Sequence, residues 1–192
     1  MSITVILNGY RRGGNLDEQY EALQNQTVKP DEILLWYNNP EISDPNYEIG
    51  TKIPTAYCTT NFGVWARFAF ALMAKSEYVC IFDDDTIPGC KWLENCLNTM
   101  QTHEGLLGTV GLLYQKPLPA DHQLCSYYEY YVRYGWVNPN ERPVQVDLVG
   151  HSWFFKKEWL SDYWREQPDP KYNLCGEDMH FSYMLQKYRG LP

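Results

Sequence analysis

The sequence predicts an α/β domain with a mainly parallel central sheet and helices on both faces. Three observations carry that prediction. Short apolar, partly β-branched runs alternate with longer amphipathic stretches along the chain. Three of those runs end in polar clusters at Asn8-Gly9-Tyr10, Asn38-Asn39 and Asp83-Asp84-Asp85, as the ends of strands bordering one cleft would. At 192 residues with no linker or low-complexity tract, the chain suits one domain. A domain of that size buries on the order of 70% of its surface.

Taken in order, Ser2 to Leu7 reads as the first strand. Asn15 is placed to cap a helix from Leu16 to Gln26, with Asp17 and Glu18 in its first turn. Pro30 precedes a second strand, Glu32 to Tyr37, and a short one follows near Ala56-Tyr57-Cys58. Asn61 is the expected cap of a helix whose Trp65, Phe68, Ala69, Leu72 and Met73 share one face. Val79 to Phe82 is a buried strand, followed by a helix from Lys91 with Trp92, Leu93, Cys96, Leu97 and Met100 inward. The second half is less regular. Strands are expected at Gly108 to Leu113 and Val144 to Val149, a loop at Tyr114 to Pro119, and a short helix at Lys157 to Trp164. Between them, Tyr127 to Trp136 is unusually aromatic and reads equally as a packed amphipathic segment or an acceptor platform. Cys175 to His180 opens a last helix with Phe181, Met184, Leu185 and Tyr188 on one face.

The segment from Val79 to Gly89 carries the most chemistry. An apolar strand runs straight into Asp83, Asp84 and Asp85, and Pro88-Gly89 follows. Adjacent carboxylates repel one another unless a cation or strong donors compensate. Alternation along extended backbone would put Asp83 and Asp85 on one side and Asp84 on the other. Hard oxygen ligands of this kind suit Mg²⁺ or Mn²⁺ held together with a diphosphate.

Charge and composition exclude several classes. A net charge of −8, with no basic cluster larger than a pair, argues against nucleic acid. No 18-residue apolar run suggests a membrane span, and Met1-Ser2-Ile3-Thr4 enters a strand directly. The six cysteines form no C-x-x-C pair, which favours free thiols in a reducing, cytoplasmic setting. His-Glu-x-x-His and Gly-rich phosphate-loop signatures are absent, and Gly13-Gly14 alone is only a turn.

Taken together, Gly9-Tyr10-Arg11-Arg12, Gln26-Thr27, Pro30, Glu32-Ile33, Asn61-Phe-Gly63, Arg67, Asp83-Asp84-Asp85 and Glu177-Asp178 stand in a specific order. In that order the chain resembles the GT-A glycosyltransferases, particularly those like family 2, from about Ile3 to Lys187. The resemblance implies a single GT-A, nucleotide-diphospho-sugar transferase domain. Residues 1–100 would be its nucleotide-binding half and residues 101–192 its acceptor-binding half. Short loops and the end at Pro192 are expected of the first domain of a longer, viral protein. One departure is visible: the family usually has an acidic residue at the end of the second strand to bind the base, where this chain has Asn38-Asn39. An Asn amide can pair with uracil through both its oxygen and its nitrogen.

The resemblance implies transfer of a sugar (a hexosyltransferase reaction) from a nucleotide-diphosphate sugar, UDP-sugar first, to a hydroxyl on a glycan or glycoprotein. It assigns the metal to Asp85 and Asp83, with His180 or His151 completing the shell. Asp83 or Asp84 would hold the ribose or a metal-bound water. Gly9, Tyr10, Arg11, Asn38 and Arg67 would line the nucleotide. Asp178 would be the general base, with Glu177 orienting acceptor or donor. A sugar nucleotidyltransferase and a non-catalytic carbohydrate-binding module are the alternatives. Release of inorganic pyrophosphate would mark the first, and metal-independent glycan binding without turnover the second.

Overall fold

The computed structural model describes residues 1–10, 15–38, 53–115, 130–168 and 174–192. Arg11, Arg12, Asn39, the loop expected at 116–119 and the start of the aromatic segment at 127–129 lie outside the described residues.

Four strands, β1 (Ile3–Tyr10), β2 (Glu32–Asn38), β3 (Thr55–Cys58) and β4 (Tyr78–Phe82), run parallel in the order β3-β2-β1-β4. A fifth, β8 (Ser152–Lys156), closes the far edge antiparallel to β4. The sheet is therefore mixed but mostly parallel, as expected. Every residue from Ile3 to Gly9 and from Tyr78 to Phe82 is buried, so the central strands are covered on both faces. This is why they read as continuous apolar runs and not as alternating ones. A second, antiparallel sheet has the order β6-β5-β7, from β5 (Val110–Tyr114), β6 (Tyr131–Tyr134) and β7 (Leu148–Gly150).

The helices are α1 (Leu16–Gln24), α2 (Ala66–Phe70), α3 (Trp92–Thr102), α4 (Leu160–Tyr163) and α5 (Glu177–Arg189). α3 and α5 bury the expected faces: Leu93, Cys96 and Met100 on one, Phe181, Met184 and Leu185 on the other. Two expectations fail here. Asn15 makes no side-chain cap; its carbonyl simply accepts the Gln19 N–H at 2.8 Å. The helix expected from Asn61 to Met73 is only one turn and a half of α2 followed by a 3₁₀ turn, Ala71–Met73. The tighter turn rotates Leu72 and Met73 out to solvent while Phe68 and Ala71 stay buried. Likewise the 157–164 helix splits into a 3₁₀ turn, Lys157–Trp159, and α4.

No helix among the described residues is long and apolar enough to cross a membrane. The described cysteines are free, in line with their spacing.

Aromatic packing ties the sheet to α2, α4 and α5. Phe68 stacks on Tyr163 at 4.8 Å and meets Trp153 and Phe181 edge-on at 5.5 and 5.7 Å. Part of the aromatic content is therefore core. At the other end of the sheet Gly9 pairs in register with Tyr37, and a β-carbon on Gly9 would lie 2.7 Å from that ring. Gly9→Ala should accordingly lower stability by about 1–3 kcal/mol, the cost of overpacking. Urea unfolding at unchanged m-value measures it, and Gly9→Ala combined with Tyr37→Leu should recover part of the loss.

Candidate functional site

Because β1 to β4 are parallel, their carboxyl ends share one edge of the sheet, and the polar clusters found in the sequence converge there. β4 stops at Phe82, and the three aspartates form a turn, not the extended continuation expected. Buried side chains from neighbouring elements hold that turn. Asn8 Nδ2 donates to the Phe82 carbonyl at 2.6 Å. Gln19 Nε2, fully buried on α1, donates to the carbonyls of Asp83 at 2.7 Å and Thr86 at 2.8 Å. The Asp84 carbonyl accepts the Asn15 N–H at 3.4 Å. The Asp83 carboxylate is thereby presented from a backbone fixed on two sides.

The antiparallel run of β8 decides what faces it. Phe82 pairs with Ser152, so the residue before Ser152 lies beside Asp83, whose N–H donates to the His151 carbonyl at 3.0 Å. His151 is the single residue between β7 and β8, where the chain passes from one sheet to the other, and it turns with φ 63°. Such a left-handed backbone is uncommon outside glycine, though His is among the enriched exceptions, and it costs roughly 1–3 kcal/mol. The turn brings His151 Nδ1 to 3.9 Å from both Asp83 Oδ2 and Asp85 Oδ1. The three ligand atoms lie within 4.8 Å of one another. Two carboxylates and an imidazole at that separation fit one divalent cation. The carboxylates suit Mn²⁺ or Mg²⁺, and the nitrogen ligand favours the transition ion.

The other Asp83 oxygen is held by Arg67, the residue expected to line the nucleotide. Its guanidinium is buried, with one nitrogen on Asp83 Oδ1 and the other 2.6 Å from Glu177 Oε1. Its carbon stacks 4.4 Å from the centroid of the Trp153 ring. The planar fork lets one cation serve two carboxylates that lie 16 and 110 residues from it in sequence. Glu177, at the first turn of α5, is largely buried. That burial pushes its carboxyl above the ordinary range, while Arg67 pulls the other way.

α5 packs against β7, which sets Asp178 near the group of Asp83, Asp85 and His151. A β-carbon on Gly150, the residue before His151, would lie 3.7 Å from Asp178 Oδ2. The other Asp178 oxygen accepts the Met179 N–H at 2.7 Å. Burial raises the Asp178 carboxyl from its ordinary value, with the Met179 N–H and Arg67 opposing. A carboxylate of raised basicity with one oxygen not engaged by Met179 is suited to accept a proton.

Two further candidates sit differently from expectation. His180, one of the two histidines expected at the metal, is outside that cluster: its Nε2 lies 2.8 Å from the Tyr163 carbonyl and its ring packs on Trp65 and Tyr163. Asn38, expected to pair with a base, already uses both ends of its amide. Nδ2 donates to Asn61 Oδ1 at 2.8 Å and Oδ1 accepts the Phe62 N–H at 3.1 Å. Asn61 Nδ2 in turn donates to the Tyr10 hydroxyl at 3.1 Å, so Asn61 links strand ends and does not cap a helix. Asn8 stood out as part of a strand-end polar cluster, whereas Gln19 had no visible sequence signal, because a buried Gln on a helix reads like any solvated polar residue.

Cutting the buried bridge should be costly. Arg67→Met leaves Asp83 and Glu177 uncompensated and should lower stability by about 3–5 kcal/mol. Combining it with Glu177→Gln removes one stranded charge, so the double variant should be more stable than the two single losses added together. Chemical denaturation of all three variants measures the coupling; strict additivity would mean that the two side chains do not interact.

Residues 4–164 match the profile of Glycosyl transferase family 2. No curated protein matches the chain. Among solved structures, S. aureus TarS aligns with a TM-score of 0.60 at 16% identity, over 96% of this chain and 33% of its own. Its segment 1–349 in complex with UDP-GlcNAc aligns at 17% identity over 96% of this chain and 53% of its own, again with a TM-score of 0.60. Glucosyl-3-phosphoglycerate synthase from Mycobacterium tuberculosis in complex with UDP gives a TM-score of 0.63 at 14% identity, over 98% of this chain and 66% of its own. The mannosyltransferase PcManGT from Pyrobaculum calidifontis, in complex with GDP-Man and Mn²⁺, gives 0.53 at 17% identity, over 96% and 51%. The chain thus spans between a third and two thirds of these proteins, and at such identities the likeness is one of fold. With the family profile matched over most of its length, the chain belongs to glycosyl transferase family 2, on a single GT-A domain.

Proposed function

We propose that this chain transfers a sugar from a nucleotide-diphosphate sugar, UDP-sugar first, to a hydroxyl of a glycan or glycoprotein. The observation that carries the reading is the convergence of Asp83, Asp85 and His151 within 4.8 Å at the carboxyl edge of a family 2 sheet, with Asp178 alongside. Structures of similar fold hold UDP-GlcNAc, UDP, or GDP-Man with Mn²⁺, which supports a nucleotide-sugar donor and a divalent ion. Mn²⁺ or Mg²⁺ held by Asp83, Asp85 and His151 would supply the positive charge that stabilises a diphosphate leaving group.

The remaining roles fall to the chain itself. Arg67 fixes Asp83 so that its Oδ2 faces the cluster. Asp178 accepts the acceptor proton at Oδ2, the oxygen not engaged by Met179. Glu177, held by Arg67, anchors the first turn of α5 and with it the position of Asp178. Gly9, Tyr10, Arg11 and Asp84 remain the residues proposed nearest the nucleotide. A base acting directly on the acceptor belongs to an inverting reaction, which comparison of donor and product anomers by NMR would test.

Two outcomes are expected. UDP should bind with Mn²⁺ and lose its affinity in EDTA, and Asp85→Asn should keep the fold while weakening that metal-dependent binding at least about tenfold. Titration calorimetry reads both, and affinity indifferent to EDTA would exclude the metal role. Asp178→Asn should bind UDP with Mn²⁺ like the parent while transfer falls roughly 10²-fold or more. Undiminished transfer in that variant would leave Asp178 as a helix-start acid and no more.

A further inference from the structure

Beside the site lies a groove that none of these roles uses. Residues 133–138 and Asn140 line a cavity of about 590 Å³ at the turn after β6. Its most prominent side chain is Trp136, the one exposed indole among the seven in the chain, at 53%. The ring is nonetheless braced. The Arg133 guanidinium lies 4.3 Å from its centroid and the His151 ring meets it edge-on at 5.1 Å. The turn behind it is fixed too: Gly135 has φ +73°, and a β-carbon there would fall 2.0 Å from the Thr109 carbonyl oxygen. A large aromatic face held rigid and left in water is arranged to receive a flat apolar surface.

The chemistry of the lining narrows what that surface belongs to. Among the described residues the groove's lining has no carboxylate, and its one cation there, Arg133, is engaged by the Tyr131 hydroxyl at 3.1 Å and by the indole itself. Asn138 and Asn140 are exposed and offer amide donors and acceptors beside the ring. Across His151 stand Asp83 and Asp85, and Asp178 lies against Gly150, so an anionic ligand would approach several carboxylates.

We propose that this groove is the acceptor subsite and that it takes a neutral pyranose, its C–H face on Trp136 and its hydroxyls on Asn138 and Asn140. The proposal rests on the transferase reading above. His151 touches both Trp136 and the aspartates, so a sugar stacked on Trp136 lies one imidazole away from the metal cluster. That is the proximity a hydroxyl needs to meet the donor.

Saturation-transfer NMR on the intact chain tests this with methyl pyranosides of glucose, galactose, mannose and rhamnose, and with the anionic methyl glycoside of N-acetylneuraminic acid. At least one neutral glycoside should bind. Its affinity should fall about tenfold or more in Trp136→Ala and stay within about threefold in Trp136→Phe, which keeps a stacking face. Should Trp136→Ala fail to fold, Asn140→Ala serves in its place, with weaker binding expected. Absence of neutral glycoside binding, an unchanged affinity in Trp136→Ala (or in Asn140→Ala where that stands in), or a preference for the anionic glycoside overturns the proposal. UDP with Mn²⁺, titrated into the parent chain, separates this from the reading beneath it. Nucleotide binding without glycoside binding removes the groove alone. Trp136-dependent glycoside binding in a chain that ignores UDP with Mn²⁺ overturns the acceptor role.

Discussion

The site depends on one buried guanidinium. Arg67 joins Asp83, on the turn after β4, to Glu177, at the start of α5, and rests on Trp153 from β8. Three elements far apart in the chain are thus brought to one fork of donors. A lysine could not serve both carboxylates in this geometry, because its ammonium is a point charge without a planar pair of donors. The consequence is directional as well as energetic. With Oδ1 of Asp83 held by Arg67, Oδ2 is the oxygen left toward His151. With Glu177 held on the other side, the first turn of α5 cannot rotate, and Asp178 stays beside Gly150. A buried charge pair of this kind adds little net stability relative to a hydrophobic replacement, but it fixes geometry that apolar packing would leave free.

The second constraint is topological. The edge strand β8 runs against β4, so its first residue, not its last, lies at the carboxyl edge of the parallel strands. The chain reaches that edge from β7 of the other sheet through the single left-handed residue His151. One residue therefore connects the sheets, completes the candidate metal cluster, and abuts the exposed indole of Trp136. Backbone strain at such a point persists because both flanking strands determine it, β7 by pairing with β5 and β8 by pairing with β4.

The parallel half of the fold was legible because its signal is redundant. Buried runs, turn residues and strand-end polar clusters all pointed to the same sheet, and β1, β2 and β4 fell within a few residues of expectation. The aspartate cluster and the Glu177-Asp178 pair were legible as well, since charged residues beside apolar elements stand out. What stayed hidden were properties of pairing. Nothing local distinguishes His151 from His180 as the residue that meets the aspartates; only the antiparallel register of β8 does so. Nor does a helix-borne Arg reveal that it points inward, as Arg67 does, when its partners lie 16 and 110 residues away. Asn38 illustrates the same limit: its amide suits a base, but Asn61 and Phe62 use it first.

Charge balance links these pieces. Asp83 and Glu177 share one guanidinium, while Asp85 and Asp178 add two more carboxylates at the same edge, in a chain whose net charge is already −8. Burial disfavours the ionised forms of Glu177 and Asp178, and the fold tolerates this because Arg67 and the α5 amides oppose it. Under the proposed function such an edge would repel a diphosphate outright. The compensating charge must then enter with the donor or before it, which makes the cluster of Asp83, Asp85 and His151 a condition for donor binding and not only for chemistry. The same excess of carboxylates weighs against an acidic acceptor and leaves the aromatic and amide surface at Trp136 as the part of the cleft suited to a neutral one.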